Sequence, residues 1–181
     1  MPNLDKGATY SFDICSQCRV ICCQDARPPL TEKRKRIIKK YLTEENVHFE
    51  KPFAKEKYSY PAVDSLLFCT FFNKATGKCS IHSVKPETCV AGPVTFDINF
   101  STRKIQWFLK KNGICSFAGK LYSDKTAFEK HFDEAKKELT GLICELDAEE
   151  LRAIVKIDEP DTFKIGEDDL PEKVQRKLAL K

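Results

Sequence analysis

Glycine is scarce in this chain: seven stand in 181 residues, and no two are closer than six positions. Both the dinucleotide-binding GxGxxG turn and the phosphate-cradling GxxxxGK loop need glycines closer than that, so neither can be written here. Histidine is scarcer. His48, His82 and His131 lie too far apart for an HExxH zinc helix, and no GxSxG nucleophile elbow occurs. No apolar run approaches the roughly 18 residues of a membrane span. The longest, from Leu66 to Phe72, reads as a buried strand or short core segment. The opening Met1-Pro2-Asn3-Leu4-Asp5-Lys6 has neither an apolar stretch nor a small-residue cleavage site, so no secretory signal is expected. The reducing cytoplasm is the compartment expected, with no membrane partner.

Cysteine is present in number. Nine in 181 residues is about 5%, below the roughly 8–10% of a secreted disulfide scaffold, and an odd count leaves one unpaired. A chain of this length closes an ordinary core without covalent staples, so residues 1–181 are expected to form one domain and the cysteines need another role. They stand at 15, 18, 22, 23, 69, 79, 89, 115 and 144. The first four make Cys-x2-Cys-x3-Cys-Cys, and Cys69, Cys79 and Cys89 are evenly spaced by nine intervening residues. A Cys-x2-Cys pair lets two thiolates reach one ion from a single turn, and a zinc or iron–sulfur site then takes further thiolates from elsewhere. Cys15, Cys18 and Cys22 fall on one stripe if their segment is helical, with Cys23 turned away from it. Clustered cytosolic cysteines ligate or react, which makes Cys15, Cys18, Cys22, Cys23, Cys69, Cys79 and Cys89 the metal candidates. Cys115 is a candidate eighth ligand, and Cys144 reads as a small core hydrophobe.

Around these residues the pattern is α+β. Tyr10, Phe12 and Ile14 alternate with polar residues as a short extended arm. Thr31 is placed to cap a helix through about Leu42, with Ile37, Ile38, Tyr41 and Leu42 on its apolar side. Residues 49–64, with two prolines, read as irregular, and Ala75-Thr76-Gly77-Lys78 as a turn. Alternation predicts a β-hairpin over 94–110. A helical scaffold is expected over 123–180, with Ser123 as one cap, Asp147 and Glu150 as a capping box, and Pro171 opening a last short helix. The fold expected is therefore a small, helix-rich α+β domain with a β-hairpin, organised around a cysteine-ligated metal centre in the region 12–95.

The run Cys15-Ser16-Gln17-Cys18-Arg19-Val20-Ile21-Cys22-Cys23, followed by Gly77-Lys78-Cys79-Ser80-Ile81-His82-Ser83-Val84-Lys85-Pro86-Glu87-Thr88-Cys89, resembles the YkgJ-type cysteine-cluster family. That family is also called CxxCxxCC, and its members are often labelled iron–sulfur-cluster proteins. The resemblance implies metal ligation by Cys15, Cys18, Cys22, Cys23, Cys69, Cys79 and Cys89. His82 stands where the family commonly has Tyr, Lys85 where it has Arg, and Val90-Ala91-Gly92-Pro93 replaces an Arg-x-Phe-Pro-like ending. The flagellin lysine N-methylase, a relative, uses its cysteine motif in methyl transfer, an activity that shared cysteines alone do not carry over.

Zinc prefers a closed set of four ligands, often as two Cys-x2-4-Cys knuckles, and only one such pair exists here. Iron–sulfur clusters accept more varied spacing, so an iron–sulfur cluster of the 4Fe–4S type is preferred, with zinc as the alternative. The order of Cys15, Cys18 and Cys22 reverses the Cys-x3-Cys-x2-Cys of radical-SAM enzymes. His82 can serve as ligand or neighbour to the centre, although an ordinary hydrogen-bonded surface or core histidine is the favoured reading, while Glu45-x-x-His48 is half of a di-iron signature and is discounted. A redox or group-transfer role with an unidentified redox or protein partner is the expectation, and the sequence does not resolve which. The alternative is a zinc-binding interaction module that binds nucleic acid through Lys33, Arg34, Lys35, Arg36, Lys39 and Lys40, although a solvated helix face accounts for these charges as well. The net charge of +4 counts the thiols as neutral. Each four-thiolate metal site lowers it by about two, which leaves the loaded protein nearly neutral.

Overall fold

The computed structural model describes residue 14 and residues 22–155 and 161–179. Cys15 and Cys18, and most of the expected N-terminal arm, lie outside the described residues; Ile14 is helical rather than extended and packs against the larger of two cores.

Helix α1 (Glu32–Glu44) starts where Thr31 predicts: the threonine hydroxyl accepts from Arg34 N at 3.1 Å. It buries Ile38 and Leu42. Ile37, one residue and about 100° round the helix, is left exposed instead of joining them. The stretch 49–64 is more ordered than its prolines suggest. Strands β1 (Phe53–Lys55) and β2 (Ser59–Pro61) pair antiparallel, with Phe53 opposite Pro61 at the end of the ladder, where a missing N–H is tolerated.

Leu66 to Phe72 is the clearest departure from expectation. Leu66 and Leu67 are 61% and 42% exposed, and only Phe71 is buried. The carboxylate of Asp64 causes this by accepting from Leu66 N at 2.8 Å and Phe68 N at 3.0 Å, which folds the run into a loop before it can extend. Strands β3 (Phe72–Asn73) and β4 (Lys78–Cys79) follow, joined by the predicted turn. Asn73 Oδ1 accepts from Ala75 N and Thr76 N, and Gly77 supplies the left-handed step at φ 68°.

A 3-10 turn (His82–Val84) leads into α2 (Glu87–Ala91). The predicted hairpin is present as β5 (Val94–Asn99) and β6 (Lys104–Lys110), with Val94 opposite Leu109 and Asn99 opposite Lys104. Helices α3 (Ser116–Ser123), α4 (Lys125–Glu145) and α5 (Ala148–Ile154) come next. The cap of α4 is Asp124, which accepts from Ala127 N at 3.0 Å; Ser123, the residue expected there, closes α3 instead. Asp147 and Glu150 form the predicted capping box on α5. The C-terminal third is not wholly helical. Strand β7 (Thr162–Asp169) joins the hairpin as a third strand beside β6, before α6 (Glu172–Lys177) opens after Pro171. Trp107 on β6 is buried, and its Nε1 donates to Asp168 Oδ2 on β7 at 2.7 Å.

Among the described residues, two apolar cores result. The larger gathers Val94, Ile98, Ile105, Trp107 and Leu109 of the sheet with Ala135, Leu139, Leu142 and Ile143 of α4. The smaller holds Leu30, Ile38, Leu42, Phe71 and Ile81, and Cys69 and Cys79 pack against it. Among the described residues, no helix is long and apolar enough to cross a membrane.

Candidate metal centre

Four cysteines far apart in sequence come within electrostatic reach of one another, in part through backbone hydrogen bonds between distant segments. The turn at 22–25 lies along the loop at 63–69: Cys69 N donates to Cys23 O at 2.8 Å, Asp25 N donates to Leu67 O at 2.8 Å, and Gln24 bridges to Phe68. Phe72 N donates to Cys69 O at 2.8 Å and opens β3, which sets Cys79 of β4 opposite Phe72. Cys89 arrives on α2. Its thiol is driven above the ordinary range by burial first, then by the neighbouring sulfurs of Cys23, Cys79 and Cys69. Cys89 nonetheless keeps solvent-accessible surface of its own.

Burial governs the other thiols too. Cys69 is pushed up to about 11, mainly by burial, and the Cys79 thiol is raised for the same reason. At neutral pH the Cys69, Cys79 and Cys89 thiols therefore hold their protons. A chelated cation needs thiolates, so binding must release them. The sulfurs lie within electrostatic reach of one another but not at coordination spacing: among the described residues, no three His, Cys, Asp or Glu side chains form a closed ligand group. The donor set itself, four soft sulfurs from four segments, is of the kind zinc and iron–sulfur centres take.

Lys85 is a cation beside this cluster. It acts against the rise in both Cys79 and Cys89, and its Nζ lies 3.5 Å from His82 Nε2. Burial, and then the Lys85 charge, lower the His82 pKa to about 4, so the ring is neutral at physiological pH. The sequence pointed to His82 but not to the electrostatic part of Lys85; its place between Cys79 and Cys89 was the available signal.

The remaining candidates are distributed as follows. Cys22 is exposed beside Cys23, while Cys115 is buried in the larger core with Phe117 and Ala118. Cys144 packs against that same core from α4, as expected of a structural cysteine. Glu45 and His48 are exposed.

Residues 14–117 match the family described as "CxxCxxCC: Putative zinc- or iron-chelating domain". The match spans more than half of the chain. This chain belongs to the CxxCxxCC family. No curated protein and no solved structure matches it. As a member of the CxxCxxCC family it is a cysteine domain of the zinc- or iron-chelating kind. The matched segment extends past the region 12–95, taking in the β5–β6 hairpin and Cys115.

The basic residues of α1 are largely engaged in ion pairs. Arg34 Nε donates to Glu87 Oε1 at 2.9 Å and its Nη2 reaches Glu138 at 3.4 Å; Lys33 reaches Glu145 at 3.3 Å. Lys35 pairs with Glu32, Lys40 with Glu44 at 3.7 Å, and Lys39 lies over the Phe53 ring. These pairs tie α1 to α2 and α4, and they leave little of the run as a uniformly positive face.

Proposed function

We propose that the protein carries an iron–sulfur cluster of the 4Fe–4S type, held by cysteines of the 15–23 and 69–89 segments and used for redox or group transfer. The observation that supports this most is the gathering of Cys23, Cys69, Cys79 and Cys89 into one electrostatic neighbourhood from four separate segments. Four thiolates are the complement of such a cluster. Cys22, together with Cys15 and Cys18, brings further sulfurs on the same motif, more than one structural zinc takes. The chain's own contribution is to bind through thiolates and to shield one side with Phe71 and Ile81 of the smaller core. When bound, the cluster supplies one-electron transfer or, where an iron lacks a thiolate, an open coordination position. A reducing cytoplasm suits these thiols, and an electron-transfer protein is the partner class that fits.

Zinc is the second reading, favoured by the same count of four sulfurs, which also makes a tetrahedral four-thiolate site. Purification without oxygen separates the two. The iron–sulfur reading expects brown protein with iron and acid-labile sulfide in equal amounts, and loss of both in Cys69→Ser and Cys79→Ser. Colourless protein with stoichiometric zinc would overturn it in favour of the zinc site.

A further inference from the structure

Helix α2, which delivers Cys89, is too short to hold itself. It has five residues, its N-cap is Pro86, and no side chain caps it; helices of that length do not persist on propensity. Two other helices fasten it. At its start, Arg34 of α1 donates to Glu87 Oε1 at 2.9 Å. At its end, the Nε2 of His131 on α4 lies 3.1 Å from Ala91 O. A carbonyl can only accept, so the nitrogen facing it carries the hydrogen and the imidazole donates. The ring is set edge-on to Phe117, with centroids 5.3 Å apart, which fixes its direction. Beside the first fastening, Glu87 Oε2 and Thr88 Oγ1 are buried with no hydrogen-bond partner among the described residues. The second fastening holds the C-terminal end of α2, two residues past Cys89, where Ala91 is also buried in the larger core.

We infer that His131 is a positioning residue for the thiol centre. By donating from Nε2 to Ala91 O it holds α2 so that Cys89 faces Cys23, Cys69 and Cys79, without touching a sulfur itself. The inference rests on the chelating role above, although the hydrogen bond belongs to the metal-free chain as well.

His131→Phe keeps a ring against Phe117 and removes the donor; His131→Gln restores an N–H donor of similar reach. In metal-free protein, the amides of Val90 and Gly92, bonded to Pro86 O and Thr88 O, report whether α2 opens. Their hydrogen exchange should quicken about tenfold or more in His131→Phe, leave the β6 amides unchanged, and return toward wild type in His131→Gln. With Co(II) as the probe, His131→Phe should bind about 10- to 100-fold more weakly with an altered visible spectrum, and His131→Gln should recover both. Faster exchange with unchanged Co(II) affinity would make the bond merely structural and overturn the inference. So would a glutamine variant as weak as the phenylalanine one. Should His131→Phe not fold, His131→Gln decides alone: wild-type affinity supports the inference and weakened affinity overturns it. A wild type that takes up no Co(II) would sink the chelating role itself, and the exchange rates would still decide whether His131 fastens α2.

Discussion

A thiol crowded by three others, as Cys89 is by Cys23, Cys69 and Cys79, keeps its proton until a cation takes its place. Chelation should then tighten steeply with pH. Competition against a chelator between pH 6 and 8 should show affinity rising by more than tenfold per pH unit, and a flat profile would contradict the protonated cluster. Metal-free protein should respond in the opposite sense. Cys69 holds its proton up to about 11, above the ordinary 9.0, so its burial stabilises the fold below pH 9 and that contribution disappears as pH passes 11. The loss amounts to about 2–3 kcal/mol, readable as a falling urea midpoint in alkali. Cys144, packed against the larger core, should behave differently: Cys144→Ala should leave metal content unchanged in elemental analysis while lowering stability slightly. Spacing in the sequence separates Cys144 from the seven clustered cysteines. It does not show that Cys23 turns in beside Cys69 while Cys22 stays exposed, because that depends on a backbone bond to a residue forty-six positions away.

Among the elements, those governed by their own residues were legible: the Thr31 cap, the Asp147–Glu150 box, the turn at Gly77 and the β5–β6 hairpin each depend on neighbours a few positions apart. Strand β7 was not. Its sequence TFKIGEDD alternates only over Phe163-Lys164-Ile165 and ends in exposed acids, and its pairing partner β6 lies more than fifty residues earlier. Helix α3 was hidden by Gly119 and its eight-residue length. Helix α1 reads as basic in sequence, but its charges act in pairs. Arg34 is 16% exposed between Glu87 and Glu138, so Arg34→Met should cost about 3 kcal/mol in chemical denaturation, mostly because two carboxylates lose their cation. Asp147→Ala, which removes only a cap, should cost about 1 kcal/mol in the same assay.

Across the whole molecule, a large sheet-and-helix core supports a smaller one against which Cys69 and Cys79 pack, and α1 ties the two together through Arg34 and Lys33. The net charge of +4 is modest, and the basic run that contributes most to it is engaged in ion pairs. Retention on heparin should therefore be weak and largely gone at about 150 mM salt, where a true nucleic-acid face would still hold. The seven cysteines were visible as a group from spacing, whereas the meeting of Cys23, Cys69, Cys79 and Cys89 depends on long-range packing that no local pattern encodes. X-ray absorption at the metal edge of anaerobically purified protein tests that meeting point most directly. A first shell of about four sulfurs near 2.3 Å is the predicted result, and a shell dominated by nitrogen or oxygen would contradict it.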